Sequence, residues 1–263
     1  MIAELVRGQL KICSSLTEAL SLARQEKPRI AAVGAGGKTT LLKRLAGEYQ
    51  VLDKKPVVIT TTHMKAENFS GFLIDPSAEE IMEVLEREGC VFAGDRAKGD
   101  KIKILPPKVL EAVLDLPGPV LIEADGARRL PVKIPAKHEP VLLPQVTCVL
   151  SVYGLDAVGK RIGEVCFRAE LAADFLQKDV EDTLKPEDIA MLAISSRAGR
   201  KGAVGHMEYV VVLNKVDTRS RQETALDVWR EIEKRRLEYG LGEVKVLITS
   251  ECAENIGDGL QRV

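Results

Sequence analysis

Residues 30–40 read Ile-Ala-Ala-Val-Gly-Ala-Gly-Gly-Lys-Thr-Thr, and this stretch decides the fold. The first four residues are apolar and predict a buried strand, the glycines predict a tight turn, and Lys38 opens a helix. A strand, a glycine turn and a helix in this order are typical of an open α/β sheet. Because later apolar runs also alternate with amphipathic segments, we expect the whole chain to follow this plan.

The turn and the start of the helix are predicted to bind the phosphates of a nucleotide. Backbone N–H groups in such a turn point into one concavity, and the helix dipole adds positive potential. Lys38 is expected to reach the outer phosphates as a catalytic residue, and the Thr39 hydroxyl is expected to hold Mg²⁺. The residues that we assign to nucleotide binding here are Gly34, Ala35, Gly36, Gly37, Lys38, Thr39 and Thr40.

The spacing of this loop is unusual. In the common form, G-x-x-x-x-G-K-[ST], the first glycine would fall at Ala32. The sequence has the shorter pattern G-x-x-G-K-T, from Gly34 to Thr39. We interpret it as a variant of the phosphate loop, and a glycine turn without a ligand is the alternative.

The composition limits the class of protein. The chain has 263 residues, of which 45% are hydrophobic and 29% charged, and a net charge of −1. Such a chain has no overall field for nucleic acid or an anionic membrane, and no apolar run approaches the roughly 18 residues of a spanning helix. The five cysteines are scattered and form no C-x-x-C pair. We therefore expect a cytoplasmic protein with reduced thiols and with neither nucleic-acid nor membrane partners.

Seven apolar runs predict strands, and six amphipathic segments predict helices. The strands are predicted at 30–33, 57–61, 90–93, 120–123, 147–152, 209–213 and 244–249, and the helices at 38–50, 76–88, 106–115, 168–177, 186–193 and 219–239. Their alternation predicts an α/β fold with a doubly wound, mostly parallel sheet and helices on both faces. We divide the chain into an N-terminal helical preamble, residues 1–28, and a single nucleotide-binding domain, residues 29–263.

Two carboxylates lie at the end of the predicted strand at 120–123. Glu123 ends the strand, and Asp125 follows two residues later. Residues two apart on a strand point to the same side, and a carboxylate at this position contacts Mg²⁺ in nucleotide hydrolases. We assign both as metal ligands and catalytic residues, one to orient Mg²⁺ and the other to orient an attacking water. A plain Asp-Gly turn after a strand is the alternative.

The predicted strand at 209–213 leads into Asn214-Lys215-Val216-Asp217. This segment resembles the N-K-x-D motif of GTP-binding proteins, in which the Asp carboxylate accepts hydrogen bonds from guanine. Asn214 would brace the loop, Lys215 would cover the base, and Ser250 would lie beside it at the end of the next strand. A structural turn followed by a helix N-cap is the alternative, so the nucleotide is GTP or ATP.

Several further side chains are candidates for a second substrate. Thr62 and His63 follow the predicted strand at 57–61, where ligands of open α/β sheets bind. Asp156 follows the strand at 147–152 and is predicted to contact Mg²⁺ or substrate. The basic segment after Asp125 suits an anion or the transferring phosphoryl group, with Arg128 assigned as catalytic and Lys133 and His138 as substrate contacts. A solvated basic loop is the alternative for this segment.

These motifs, in this order, resemble the YqeC family. The resemblance is carried by Gly34-Ala-Gly-Gly-Lys-Thr-Thr, Thr60-Thr-Thr-His, Glu123-Ala-Asp-Gly-Ala-Arg, His138-Glu-Pro, Gly154-Leu-Asp-Ala and Asn214-Lys-Val-Asp. It implies a P-loop NTPase-like protein that acts with partners in the maturation of selenium-dependent molybdenum hydroxylases or their cofactor. The family pattern has His-Arg where this chain has Phe167-Arg168, so Arg168 remains a candidate substrate contact.

Three functions are compatible with these patterns. The first is a Mg²⁺-dependent P-loop NTPase that hydrolyses a nucleotide or transfers its phosphoryl group. The second is an ATP-dependent kinase or ligase that activates a small anionic substrate, since the short loop also resembles that of Mur ligases. The third is a GTP-gated chaperone or switch that acts through protein contacts.

Overall fold

The structure is a computed structural model that describes residues 1–22 and 25–250. A sheet of twelve strands forms its centre. In chain order the strands are β1 (Ile2–Val6), β2 (Gln9–Ile12), β3 (Arg29–Gly34), β4 (Val57–Thr60), β5 (His63–Lys65), β6 (Phe72–Ile74), β7 (Val91–Arg96), β8 (Lys101–Lys103), β9 (Val120–Glu123), β10 (Val132–Lys133), β11 (Cys148–Gly154), β12 (Cys166–Phe167), β13 (Glu208–Asn214) and β14 (Lys245–Thr249). Of these, β10 and β12 form a separate small parallel sheet.

Eight α-helices cover the large sheet within the described residues. They are α1 (Leu16–Ala19), α2 (Lys38–Val51), α3 (Ala78–Glu88), α4 (Pro107–Asp115), α5 (Ile162–Val165), α6 (Ala169–Leu176), α7 (Pro186–Ile194) and α8 (Arg219–Glu238). All six predicted helices are present, with ends that differ by a few residues at most. The predicted start of α3 at Pro76 is wrong by two residues, because the Ser77 hydroxyl accepts the cap hydrogen bond from Glu80 N–H.

The middle of the large sheet is parallel. Its strands run in the order β14-β13-β11-β3-β9-β4-β7, and β6 pairs with β7. Antiparallel strands extend both edges, with β1 and β2 beside β14 and with β8 and β5 beside β7. The prediction of a mostly parallel α/β sheet is confirmed.

Alternate residues of the central strands face two different hydrophobic cores. Ile30 and Ala32 of β3 pack with α1 and α2, whereas Ala31 and Val33 pack with α3 to α8. All four side chains are fully or almost fully buried. Burial on both faces explains why the central strands are continuous apolar runs, and it makes the fold a three-layer sandwich.

The N-terminal segment differs from the prediction. Residues 2–12 form a hairpin of β1 and β2, and β1 pairs with β14. The helical preamble is wrong for this part, because Arg7 and Gly8 both have positive φ and form the turn that joins the two strands. The helix of this segment, α1, extends only over Leu16–Ala19, and the Ser15 hydroxyl accepts its cap hydrogen bond from Glu18 N–H. The domain boundary at residue 28 stays a prediction.

The strand order creates a crevice at the carboxyl end of β3. From β3 the chain builds β4, β7 and β9 on one side, and then β11, β13 and β14 on the other. The loops after β3 and β11 therefore leave the sheet in opposite directions. Ligands of open α/β sheets bind at such a point.

No helix in the described part of the chain combines the length and apolar character that a membrane crossing requires.

Candidate functional site

A cavity of about 750 Å³ lies at the carboxyl end of the parallel strands. Its walls come from the loop after β3, the start of α2, the β5 and β8 strands, and the segment after β9. The lining includes eight Lys and Arg residues against four Asp and Glu residues. They are Lys38, Lys43, Lys65, Lys101, Lys215, Arg128, Arg129 and Arg168, against Glu67, Asp100, Glu123 and Glu139. This excess of positive charge suits an anionic ligand.

The loop after β3 is a tight turn that presses on β11. Gly34, Gly36 and Gly37 all have positive φ, and a Cβ at Gly36 would lie 2.2 Å from the Gly154 backbone nitrogen. No side chain fits such a gap, so these positions require glycine for both conformation and space. The prediction of a strand, a glycine turn and a helix is confirmed in its geometry.

The loop amides differ from the prediction. Gly34 N–H donates to Asp125 Oδ2 at 2.9 Å, Ala35 N–H donates to the Val152 carbonyl at 2.9 Å, and Gly36 N–H donates to the Leu130 carbonyl at 3.2 Å. These three groups are therefore committed to protein acceptors, because the loop is packed against β11 and buried amides must be paired. The four N–H groups that the start of α2 leaves without a helical partner belong to Gly37, Lys38, Thr39 and Thr40, since Leu41 N–H is the first to bond, to the Gly37 carbonyl.

Lys38 lies across the loop and is only 4% exposed. Its Nζ donates to the Gly34 carbonyl at 2.7 Å and lies 3.1 Å from Asp125 Oδ1. In this arrangement the ammonium group braces the turn instead of extending away from it. Its predicted contact with outer phosphates requires the side chain to exchange one of these partners for the ligand.

Thr39 contacts the carboxylate at the end of β9. Its Oγ1 donates to Glu123 Oε2 at 2.6 Å, and Glu123 is 7% exposed. Burial raises the pKa of Glu123, although Lys38 and the Thr39 hydroxyl oppose this effect. A hydroxyl and a carboxylate at a phosphate loop are oxygen donors of the kind that Mg²⁺ prefers, and the pair therefore fits this ion.

This fit depends on a bound phosphate. No group of three His, Cys, Asp or Glu residues that could hold a metal ion exists within residues 1–22 and 25–250. Mg²⁺ usually binds through one or two carboxylates together with substrate phosphates and water. Thr39 and Glu123 therefore fit a metal that arrives with a nucleotide.

Asp125 begins a buried chain of ionic contacts. Lys133 Nζ lies 3.0 Å from Asp125 Oδ2 and 2.7 Å from Glu139 Oε2, and Arg168 binds both oxygens of Glu139 at 2.8 and 3.0 Å. Lys133 and Asp125 are almost completely buried, with side-chain exposures of 1% and 2%. Together with Lys38, these side chains join the glycine turn to Arg168 in the cavity lining.

Glu139 is a central residue of the site, and no role was predicted for it from the sequence. Burial alone would raise its pKa, but the hydrogen bonds and charges of Arg168 and Lys133 outweigh this effect and hold the pKa at about 2. His138, the predicted substrate contact beside it, is exposed and does not line the cavity. One sequence signal could have identified Glu139, since it is a lone carboxylate in a strongly basic segment. Such a residue pairs with its basic neighbours when it is buried.

Three arginines line the cavity, and all have unusual backbones. Arg128, Arg129 and Arg168 have φ values of 48°, 63° and 67°. The guanidinium groups of Arg128 and Arg168 lie 5.1 and 4.3 Å from the ring centroid of Phe167. Phe167 thus provides an aromatic surface for these two guanidinium groups and for the Lys133 ammonium, 5.8 Å from the ring centroid.

The residues after β4 separate into two groups. His63 lines the cavity, but Thr62 does not. The Thr62 hydroxyl is buried and has no hydrogen-bond partner among the described residues. The neighbouring hydroxyls bind the backbone, since Thr60 donates to the Glu123 carbonyl and Thr61 donates to the Val141 carbonyl. His63 is therefore the better placed of the two predicted substrate contacts.

The segment after β13 supports the phosphate loop. Asn214 Nδ2 donates to the Gly36 carbonyl at 2.8 Å, and Asn214 Oδ1 accepts from Thr249 Oγ1 at 2.7 Å. This geometry agrees with the bracing role expected of Asn214. The Asn214 side chain is only 5% exposed. Its hydrogen bonds hold the loop, and this role requires no direct contact with a base.

Lys215 and Asp217 of this segment each bind a side chain from a different loop. Lys215 Nζ lies 2.9 Å from Asp156 Oδ2, and the Ser250 hydroxyl donates to Asp217 Oδ1 at 2.5 Å. Lys215 lines the cavity, whereas Asp156, a predicted substrate or Mg²⁺ contact, does not. Asp156 is placed instead as the counter-ion of Lys215.

Comparison with known proteins supports the resemblance to the YqeC family. A family model described as "YqeC protein" matches residues 30–170. The chain is 31% identical over 180 residues to a protein of Escherichia coli (strain K12) described as "Uncharacterized protein YqeC", and the match covers 66% of this chain and 70% of that one. The matched residues 30–170 include the phosphate loop, Glu123, Lys133, Glu139 and Arg168. The chain belongs to the YqeC family.

Proposed function

We propose that this protein is a Mg²⁺-dependent NTPase of the P-loop type, which binds a nucleoside triphosphate at residues 34–40. The observation that carries the proposal is the hydrogen bond of 2.6 Å between Thr39 Oγ1 and the buried Glu123 carboxylate, directly beside the glycine turn. A buried carboxylate whose pKa is raised gains from a nearby cation. Mg²⁺ bound by these two residues would neutralise charge on the phosphates.

The chain's own residues then have distinct tasks. The first-turn N–H groups of α2 and the Lys38 ammonium group stabilise negative charge on the phosphates. Asp125 holds the turn, because it accepts from Gly34 N–H and lies between Lys38 and Lys133. We therefore assign Asp125 to positioning, and Glu123 to the metal.

The base would lie over the ends of β13 and β14. Asp217 is 28% exposed and accepts a hydrogen bond from Ser250, and its second oxygen lies 3.4 Å from Arg221. A carboxylate held in this way suits the N1–H and N2–H₂ donors of guanine. Adenine lacks these donors, so the relative affinities for GTP and ATP test this role of Asp217.

The test is calorimetric titration of the protein with GTP and with ATP, each with Mg²⁺. We expect binding that weakens at least tenfold, by about 1.4 kcal/mol, in Thr39→Ala or when Mg²⁺ is withheld. Thr224→Ala is the matched control, because Thr224 is a half-buried helical threonine on α8, far along the chain from the loop. GTP binding about 100-fold tighter than ATP, roughly 2.7 kcal/mol, would support base reading by Asp217.

Two results would contradict the proposal. One is the absence of binding of either nucleotide to the wild-type protein. The other is equal affinity in Thr39→Ala, Thr224→Ala and wild type, with no dependence on Mg²⁺. A preference for ATP would leave the NTPase proposal standing and would make residues 214–217 a structural turn.

The cellular role follows from the family resemblance and is part of the proposal. Nucleotide turnover would serve, in the cytoplasm, the maturation of a selenium-dependent molybdenum hydroxylase or its cofactor. The measurement is the activity of such a hydroxylase in cells that carry Thr39→Ala instead of the wild-type chain. Undiminished hydroxylase activity would remove this role without affecting the NTPase proposal.

A kinase or ligase is a second candidate. The observation in its favour is the set of three arginines in the cavity lining, which adds more positive charge than the glycine turn itself needs. An enzyme that activates a small anion requires such a place beside the terminal phosphate.

A further inference from the structure

We propose that Arg128, Arg129 and Lys101 form a separate oxyanion subsite, which holds a small anionic second substrate while the nucleotide occupies residues 34–40. This inference rests on the proposed function and adds a substrate class to it. The ligand is a small molecule with a phosphate or carboxylate group. The three side chains all line the 750 Å³ cavity.

The order of the strands indicates where this subsite lies relative to the nucleotide. Residues 214–217 and 250 follow β13 and β14, the glycine turn follows β3, and Glu123 ends β9. In the sheet these strands run in the order β14-β13-β11-β3-β9-β4-β7-β8, and Lys101 begins β8. A nucleotide with its base over β13 and its phosphates over β3 therefore directs its terminal phosphate toward β9 and β8. Lys101 lies on that side. The segment of Arg128 and Arg129 follows β9 and returns to the glycine turn, because the Leu130 carbonyl accepts from Gly36 N–H at 3.2 Å. The subsite therefore extends from the glycine turn toward β8.

The charges of the subsite are available for a ligand. Neither guanidinium of Arg128 and Arg129, nor the Lys101 ammonium, has a hydrogen bond or an ion pair with any residue in the described ranges. In contrast, the Arg168 guanidinium donates to both oxygens of the Glu139 carboxylate, and Lys43 is paired with Glu67 at 2.5 Å. The cavity thus contains neutralised cations, which are structural, and uncompensated ones, which can bind an anion.

The backbone holds the two arginines in place at a conformational cost. Two consecutive non-glycine residues with positive φ are uncommon, and Arg128 and Arg129 adopt 48° and 63°. Within the described residues, nine non-glycine residues have positive φ, and four of them, Arg128, Arg129, Arg168 and Lys215, line this cavity. Strain that is concentrated on the cations of one cavity is the arrangement expected of a ligand site.

Phe167 fixes the direction of Arg128. The small parallel sheet pairs Lys133 with Phe167, and the buried contacts of Lys133 hold this pair. Arg128 stacks on the ring at 5.1 Å, which restricts a side chain that would otherwise move freely in water. A restricted guanidinium loses less entropy on binding an oxyanion, so the site is partly organised before the ligand arrives.

The test uses the intact protein saturated with a non-hydrolysable triphosphate analogue and Mg²⁺. Inorganic phosphate and succinate are titrated separately by calorimetry, so that the two arms distinguish a phosphate ligand from a carboxylate ligand. We expect one of them to bind the loaded protein, and Arg128→Gln to weaken that binding about tenfold, or ~1.4 kcal/mol. Arg129→Gln is the second variant, and a similar weakening is expected.

Arg197→Gln is the matched control. Arg197 is also an exposed arginine stacked on a phenylalanine, 5.5 Å from the Phe175 ring centroid, and it does not line the cavity. Its replacement removes the same charge from the protein and should leave anion binding unchanged. Nucleotide affinity is measured first for each variant, so that every anion titration begins with a filled loop.

Each failure can be recognised separately. If the wild-type protein binds no nucleotide, the proposed function fails, and this inference fails with it. If nucleotide binds but neither anion binds the loaded protein, the subsite alone is wrong. The subsite is also wrong if an anion binds and Arg128→Gln, Arg129→Gln and Arg197→Gln all bind it as tightly as wild type.

Discussion

Two cavities lie at opposite ends of the same sheet, and they differ in the sign of their charge. The cavity at the carboxyl end measures about 750 Å³ and has eight basic and four acidic side chains in its lining. A second cavity, of about 490 Å³, lies where β13 and β14 begin, and its lining has two basic and four acidic side chains. The latter are Arg200 and Lys245, against Glu4, Glu208, Glu233 and Glu243. The net charge of −1 conceals this separation.

The two cavities also differ in how their charges are held. At the amino end, Lys245 lies 3.4 Å from Glu208 with both side chains partly exposed, and Arg200 stacks on Tyr209. At the carboxyl end, Lys133 is buried between two carboxylates, and several cations have strained backbones. Water can solvate the partly exposed charges at the amino end. The buried charges at the carboxyl end stay together only because the surrounding structure holds them. Buried ions and strain therefore distinguish the candidate site from an ordinary surface recess.

The largest expected effect is at Lys133. Lys133→Met should lower the free energy of unfolding by about 3–5 kcal/mol, because it leaves the buried carboxylates of Asp125 and Glu139 without their shared cation. Urea unfolding at neutral pH measures the change. A loss below about 1 kcal/mol would mean that the ionic chain is not held as tightly as its burial indicates, and the contrast between the cavities would disappear.

The second effect is a dependence on acid. The pKa of Glu139 lies at about 2 in the fold against an ordinary value of 4.5. A lowered pKa gives stability that is fully present above pH 4.5 and is lost as the pH falls toward about 2. Wild type should therefore lose more stability than Glu139→Gln across this window, in urea unfolding series at several pH values. Identical acid slopes in the two proteins would show that Glu139 is not held ionised by Arg168 and Lys133.

The smallest effect is expected at the amino-end cavity, and it serves as the control for Lys133. Lys245→Met makes the same substitution as Lys133→Met, but in a partly exposed ion pair with Glu208. Exposed ion pairs contribute about 0.2–1 kcal/mol, so the change in unfolding free energy should lie in this range. Should Lys245→Met cost as much as Lys133→Met, the two cavities would have to be regarded as equivalent in their electrostatics.

Much of the fold could be predicted because its signals are local. The buried strands are continuous apolar runs, and the glycine turn after β3 follows from residues adjacent in sequence. Thr39 and Glu123, which bind each other, could also be predicted from local sequence. Thr39 follows the glycine turn directly, and Glu123 is a carboxylate at the end of an apolar run. The β1–β2 hairpin was missed, although Arg7-Gly8 between two short alternating runs is also a local signal.

The rest of the site depends on contacts between distant parts of the chain. Glu139 is joined to Arg168 across 29 residues of sequence, and Asp125 is joined to Gly34 across 91 residues. The same is true of the loop amides, which looked free in sequence and are bound to Val152 and Leu130.

The sequence by itself thus determined the layers, the parallel sheet and the position of the glycine turn, because hydrophobic periodicity and backbone preferences act over a few residues. The tertiary structure decided which charges are buried together, which are free, and which end of the sheet is cationic. Those properties depend on distance and dielectric surroundings, and both are set only when the strands have been ordered.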